Sequence, residues 1–118
     1  MKLYSIAQAS KETDLSQHTL RYYERSELIP SIAKDAAGRR VYTESDLKAL
    51  KFIKALRGTH MPISEIREYG RLYFQGKRTS GKRKQLLEAH RARILNEIDK
   101  QSRYLEVISA KIDMMFDN

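Results

Sequence analysis

The chain contains no cysteine among its 118 residues. That absence excludes a disulfide framework, a zinc finger and any thiolate-based metal or redox sensing. Long apolar runs are also missing. None approaches the ~20 residues that span a bilayer, and the opening MKLYSIAQAS lacks the apolar core of a secretory signal. A soluble cytoplasmic protein with no membrane partner is expected. The patterns of catalysis are absent as well: no Gly-rich phosphate loop, nucleophile–base pair or carboxylate dyad is recognisable. His60 and His90 have few carboxylates at ligand spacing. No enzymatic activity, metal or cofactor is therefore expected. Proline occurs only twice, at Pro30 and Pro62, and both positions read as punctuation between elements.

Positive charge is abundant. Lys and Arg number 23 against 15 Asp and Glu, a formal net charge of +8, with 32% of residues charged. Such an excess favours an anionic partner, nucleic acid above all. It is spread evenly, with 11 basic and 7 acidic groups in residues 1–60 and 12 and 8 in residues 61–118. No basic tail exists, so a binding surface has to be made by folding.

Ser5 with Gln8 three residues on forms a capping box, and Lys2-Leu3-Tyr4 leads into it as an extended segment. The first helix is predicted to run to about Glu12. After the turn Thr13-Asp14-Leu15, Ser16 caps a second helix, QHTLRYYERSE, which fades at Leu28-Ile29-Pro30 because proline cannot continue it. Asp35-Ala36-Ala37-Gly38 reads as a turn, and Arg39 to Tyr42 alternates like a strand, predicting a small hairpin, or wing. Thr43 with Asp46 caps a third helix whose apolar face is Leu47, Leu50, Ile53 and Leu56, ending near Gly58. Pro62 suits the first turn of a fourth helix, in which Ile63, Ile66, Tyr69 and Tyr73 face the core, with Gly76 at its end.

GKRTSGKRK reads as a basic linker. From about Thr79 to about Met115 there is no proline, and the only glycine is Gly81. That permits a helix of ~35 residues and ~50 Å. With Ile98 as an a position, Leu87, Ile94, Ile98, Leu105, Ile108, Ile112 and Met115 fall at a or d, with Arg91 and Gln101 as polar exceptions. Seven apolar positions of nine make a coiled-coil seam, and self-association as a homodimer is expected. Packing of that stripe on the protein's own head is the alternative.

Helix, short turn, helix and wing is a DNA-reading arrangement in which the second helix enters the major groove. On a wheel of ~100° per residue, Leu20 and Tyr23 face inward. His18, Arg21, Tyr22 and Arg25 face outward with Gln17 at the flank. Ser16, Gln17, His18 and Thr19 are the candidate base readers, and Arg21 and Tyr22 the candidate phosphate anchors. Arg39 and Arg40 at the wing tip are candidates for backbone phosphate or a minor groove. An ordinary solvated face is the competing reading of each. Tyr69, Tyr73, Phe74 and His90 could line an apolar effector pocket or simply pack the core.

The segments YSIAQASKETDLSQHTLRYYERSELI, GRRVYTESDLKAL, FIKALRGTHMPISEIREY and LLEAHRARI…EVISAKID resemble the MerR family of bacterial regulators over nearly the whole chain. TLRYYE followed by Gly38, Arg40 and Tyr42 as G-x-R-x-Y is the specific part. The resemblance implies a mainly α fold. A winged helix-turn-helix DNA-binding head spans residues 1–76. A linker and dimerisation helix span 77–118 and pair antiparallel as a coiled coil. It implies a transcriptional regulator that binds double-stranded promoter DNA as a homodimer and distorts an overlong spacer, engaging RNA polymerase through the distorted DNA. It carries Arg21, Tyr22 and Arg40 over as backbone contacts, with Tyr23 and Tyr42 beside them, and places His60 and Met61 near phosphate. An architectural, excisionase-like bending protein and a basic coiled-coil scaffold or RNA-associated protein are the competing expectations. The tail resembles the branch answering aldehydes, electrophiles or nitrosative stress, but Ala55 stands where that branch carries its cysteine.

Overall fold

The structure, a computed structural model, describes residues 2–115. It contains α1 (Ile6–Thr13), α2 (Gln17–Arg25), α3 (Glu44–Gly58), α4 (Ile63–Phe74), a 3-10 turn at Lys77–Thr79 and α5 (Ser80–Met115). The chain divides into two compact units, Met1–Ser80 and Gly81–Asn118. No helix among the described residues is long and apolar enough to cross a membrane.

In the first unit the helix starts follow local chemistry. Ser5 and Gln8 satisfy each other's backbone N–H groups, as do Thr43 and Asp46. The turn between α1 and α2 is made by Asp14 in the left-handed conformation, with Leu15 N donating to Ser10 O at 3.2 Å. Leu20, Tyr42, Leu50, Met61 and Ile66 are fully buried and form the centre of the core. α1 packs on α2 and on α3, and α3 packs on α4.

Four details depart from the expectations above. α2 ends at Arg25, before Pro30 can act. Glu27 turns left-handed (φ 59°) and Leu28 N donates to Tyr23 O at 2.9 Å. Burial of Leu28 and Ile29 offsets the ~1–2 kcal/mol that a left-handed non-glycine residue costs. The wing contains no regular strand among the described residues. It is a turn closed by Val41 N to Ala33 O and Asp35 N to Arg39 O, both 2.9 Å, with Gly38 at φ 80°. Two inter-arm bonds are too few for a ladder. The basic linker shrinks to one 3-10 turn. The buried Thr79 hydroxyl donates to Leu72 O at 2.6 Å and pins that turn, so GKRK already belongs to α5. Finally, Tyr73 is 58% exposed, and Leu72 is the buried residue instead. Tyr73 lines a cavity of about 420 Å³ between α3 and α4, together with Phe52, Tyr69 and Phe74.

Two interactions with no local sequence signal fix the helix-turn-helix from behind. Lys54 Nζ donates to Thr13 O (3.1 Å) and Asp14 O (3.3 Å), and Arg67 Nε donates to Ser26 O (2.8 Å). A cation from α3 and one from α4 thus satisfy the C-terminal carbonyls of α1 and α2. Tyr4 and Tyr42 exchange both backbone bonds at 2.8 Å, and Tyr4 Oη donates to Glu44 Oε1 at 3.1 Å. The extended N-terminal lead thereby fastens the base of the wing.

The second unit is the helix itself. Ile98, Leu105, Ile108, Ile112 and Met115 are exposed, and Leu87 and Ile94 half-buried.

Candidate nucleic-acid interface

The outward face of α2 is built by the burial of its other side. Leu20 and Tyr23 are buried, which leaves Gln17, His18, Arg21 and Arg25 exposed and Tyr22 half-buried. Arg21 and Arg25 form no ion pair among the described residues. Guanidinium groups without protein partners keep their donors available to phosphate or guanine. Ser16 is exposed, but its hydroxyl is engaged. It accepts from Thr19 N at 3.0 Å and donates to Thr19 Oγ1 at 2.8 Å. Both hydroxyls serve the helix cap, which leaves Gln17 and His18 as the exposed polar side chains at the start of α2.

The wing candidates separate. Arg39 is exposed at the turn, where its guanidinium lies 3.5 Å from Asp35. Two backbone N–H groups, those of Arg39 and Ala37, donate to the Asp35 carboxylate and hold its pKa low. Arg40 turns toward α2 instead. Its Nε donates to Glu24 Oε1 at 2.6 Å, with side-chain exposures of 31% and 15%. That bond raises the guanidinium pKa above its usual value. Glu24 Oε2 also accepts from Ile32 N at 3.3 Å. No local signal marks this pair, because the two residues lie 16 apart in sequence.

Two candidates lie beneath the surface. Tyr23 is buried, and Tyr42 has no exposed area, so they support the face and do not form it. Burial, then the charge of Glu24, pushes the Tyr42 phenol pKa up, and among the described residues its hydroxyl has no hydrogen-bond partner. A buried hydroxyl left unpaired costs ~1–3 kcal/mol. Tyr42→Phe is therefore expected to raise stability by about 1 kcal/mol, or about 4–8 °C in thermal midpoint. A lower midpoint in calorimetry would show that an ordered water bonds the hydroxyl.

His60 is exposed between α3 and α4 in the left-handed conformation (φ 64°), while Met61 is fully buried. Arg57 Nη1 donates to Met61 O at 3.3 Å and steadies this corner. Of the pocket candidates, Tyr69, Tyr73 and Phe74 share the cavity between α3 and α4, and the Tyr69 ring stands 5.5 Å from that of Phe52. His90 is carried by the other unit.

This layout, a capped helix-turn-helix with a short wing and a separate long helix, agrees with known proteins. The profile of MerR HTH family regulatory proteins matches residues 4–71, and that of the MerR DNA-binding region matches residues 47–113. The chain belongs to the MerR family. Among MerR relatives, it is 41% identical over 91 residues to the HTH-type transcriptional regulator AdhR of Bacillus subtilis, covering 77% of this chain and 65% of AdhR. The first curated relatives are thus matched over less than two thirds of their own length. A MerR family regulator from Bacillus thuringiensis superposes with a TM-score of 0.85 at 31% identity, covering 94% of this chain and 97% of that one. HiNmlR, a MerR family regulator lacking the sensor domain and bound to promoter DNA, superposes with a TM-score of 0.86 at 28% identity, covering 94% and 88%.

Proposed function

We propose that the chain is a sequence-specific transcriptional regulator that binds promoter DNA as a homodimer and distorts it. The observation carrying this reading is the outward face of α2, where Gln17, His18, Arg21 and Arg25 are exposed on a rigid helix-turn-helix. Similarity to HiNmlR, which was seen on promoter DNA without a sensor domain, supports it. In this reading Gln17 and His18 meet base edges. Arg21, Tyr22, Arg39 and Arg40 hold phosphate, and the backbone around His60 approaches it. The apolar stripe from Leu87 to Met115, exposed from Ile98 onward, pairs with a second copy, antiparallel, setting two heads on successive half-sites. RNA polymerase is engaged indirectly, through the changed shape of the DNA. Bending costs several kcal/mol, which the phosphate contacts offset.

An architectural bending protein would use the same head but has no need of a 36-residue helix. Purified protein on its own upstream region separates the readings: a short palindromic footprint with altered transcription in vitro supports the regulator. A footprint with no transcriptional change would sink it. The same assay tests sensing. With no thiol, transcription is expected to be unchanged by diamide, and a reproducible response would reveal another oxidisable group, such as Met114.

A further inference from the structure

We propose that Glu24 is a positioning residue that couples the wing to the recognition helix, so that one carboxylate on α2 sets where the wing arginines meet DNA. The inference rests on the DNA-binding reading of α2 and the wing. The wing holds itself weakly. Among the described residues its arms share the backbone bonds Val41 N to Ala33 O and Asp35 N to Arg39 O and the bond of Arg39 N to the Asp35 carboxylate, and an isolated hairpin that short is marginal. Glu24 grips both arms at once. Oε1 accepts from Arg40 Nε on the second arm at 2.6 Å, and Oε2 accepts from Ile32 N on the first at 3.3 Å. Ile32 is itself buried, so the first arm is anchored on both its backbone and its side chain.

The chemistry makes this placement informative. An acid on a DNA-reading helix repels phosphate. Here its charge is met by Arg40, and Glu24 is only 15% exposed. Among the described residues only Nε of the Arg40 guanidinium is bonded, and because its five donors form a fixed fork, holding Nε also orients the Nη groups. Glu24 therefore orients a phosphate contact without touching DNA. Removing it has opposite consequences under two accounts. Charge alone predicts tighter binding once the acid is gone. Loss of position predicts weaker binding, confined to the wing.

The test compares wild type, Glu24→Ala and Glu24→Gln as full chains, on the sequence that wild type selects from random duplex DNA. Hydroxyl-radical protections that Arg39→Ala weakens mark the wing. Glu24→Ala is expected to bind about tenfold more weakly, the scale of one charge-assisted hydrogen bond. It should lose the wing protections and keep those of α2. Glu24→Gln keeps an amide oxygen that accepts from Arg40 Nε but turns an NH2 donor toward Ile32 N, and should recover part of the loss. Without DNA, amide exchange at Ile32, Asp35 and Val41 should quicken in Glu24→Ala while the α2 amides stay protected. Unchanged or tighter binding with the wing protections intact would overturn the proposal. So would uniform loss of all protections with a lower unfolding midpoint, which would mark Glu24 as general fold support. If wild type selects no sequence, the DNA reading fails, and the exchange result alone decides the coupling.

Discussion

Replacing Ile98 and Leu105 with aspartate is expected to give monomers and to abolish binding to the cognate site. Both side chains are more than half exposed in the single chain, at 56% and 62%. In a paired seam the double substitution removes four apolar side chains, two from each copy. At ~1.5–3 kcal/mol each, that is a loss of roughly 6–12 kcal/mol. A dimer with micromolar to nanomolar affinity is held by ~8–12 kcal/mol, so the loss is on the scale of the whole interaction. Placing carboxylates in the seam adds a desolvation cost. Ala110→Asp, outward on the same helix by the heptad register, is the control and should stay dimeric. Sedimentation velocity at micromolar concentration reads the outcome directly. A double variant that sedimented as a dimer would move the interface elsewhere on the molecule.

Arg21→Ala carries the second large effect. Arg21 is exposed, unpaired among the described residues and adjacent to the half-buried Tyr22 on α2. If it holds phosphate as proposed, twice in a dimer, it contributes about 1.8 to the slope of log K against log salt. At 0.15 M salt, losing both copies corresponds to roughly 30-fold weaker binding on every sequence, cognate or not. Gln17→Ala should behave differently. It should cost ~1–3 kcal/mol per contacted base pair on the cognate site and leave non-specific binding unchanged. A competition assay in which Arg21→Ala altered base preference but not salt dependence would exchange the two assignments.

Local signals in the sequence determined the helices. Capping boxes at Ser5 and Thr43, the cap at Ser16 and the apolar rows of α2 and α3 each lie within four residues of one another, so the chain fixes them before any long-range contact forms. The long α5 followed from an uninterrupted run without proline, and the proposed seam rests on a heptad register; both are properties of one helix. The outward face of α2 was legible for the same reason, since the inward Leu20 and Tyr23 define it by exclusion.

Only the tertiary structure decided the rest. Whether Arg40 points at solvent or at Glu24 depends on how the wing folds against α2, across 16 residues of chain. That Tyr42 is a core residue and not a surface one follows from its pairing with Tyr4 across the base of the wing. The carbonyls of α1 and α2 that Lys54 and Arg67 satisfy lie about 40 residues away in sequence. Tyr73 lines a cavity between α3 and α4 and is 58% exposed, although a helical wheel placed it inward. In each case the deciding partner is distant in sequence, and the side chain's role is set by the geometry between elements, which local pattern does not encode.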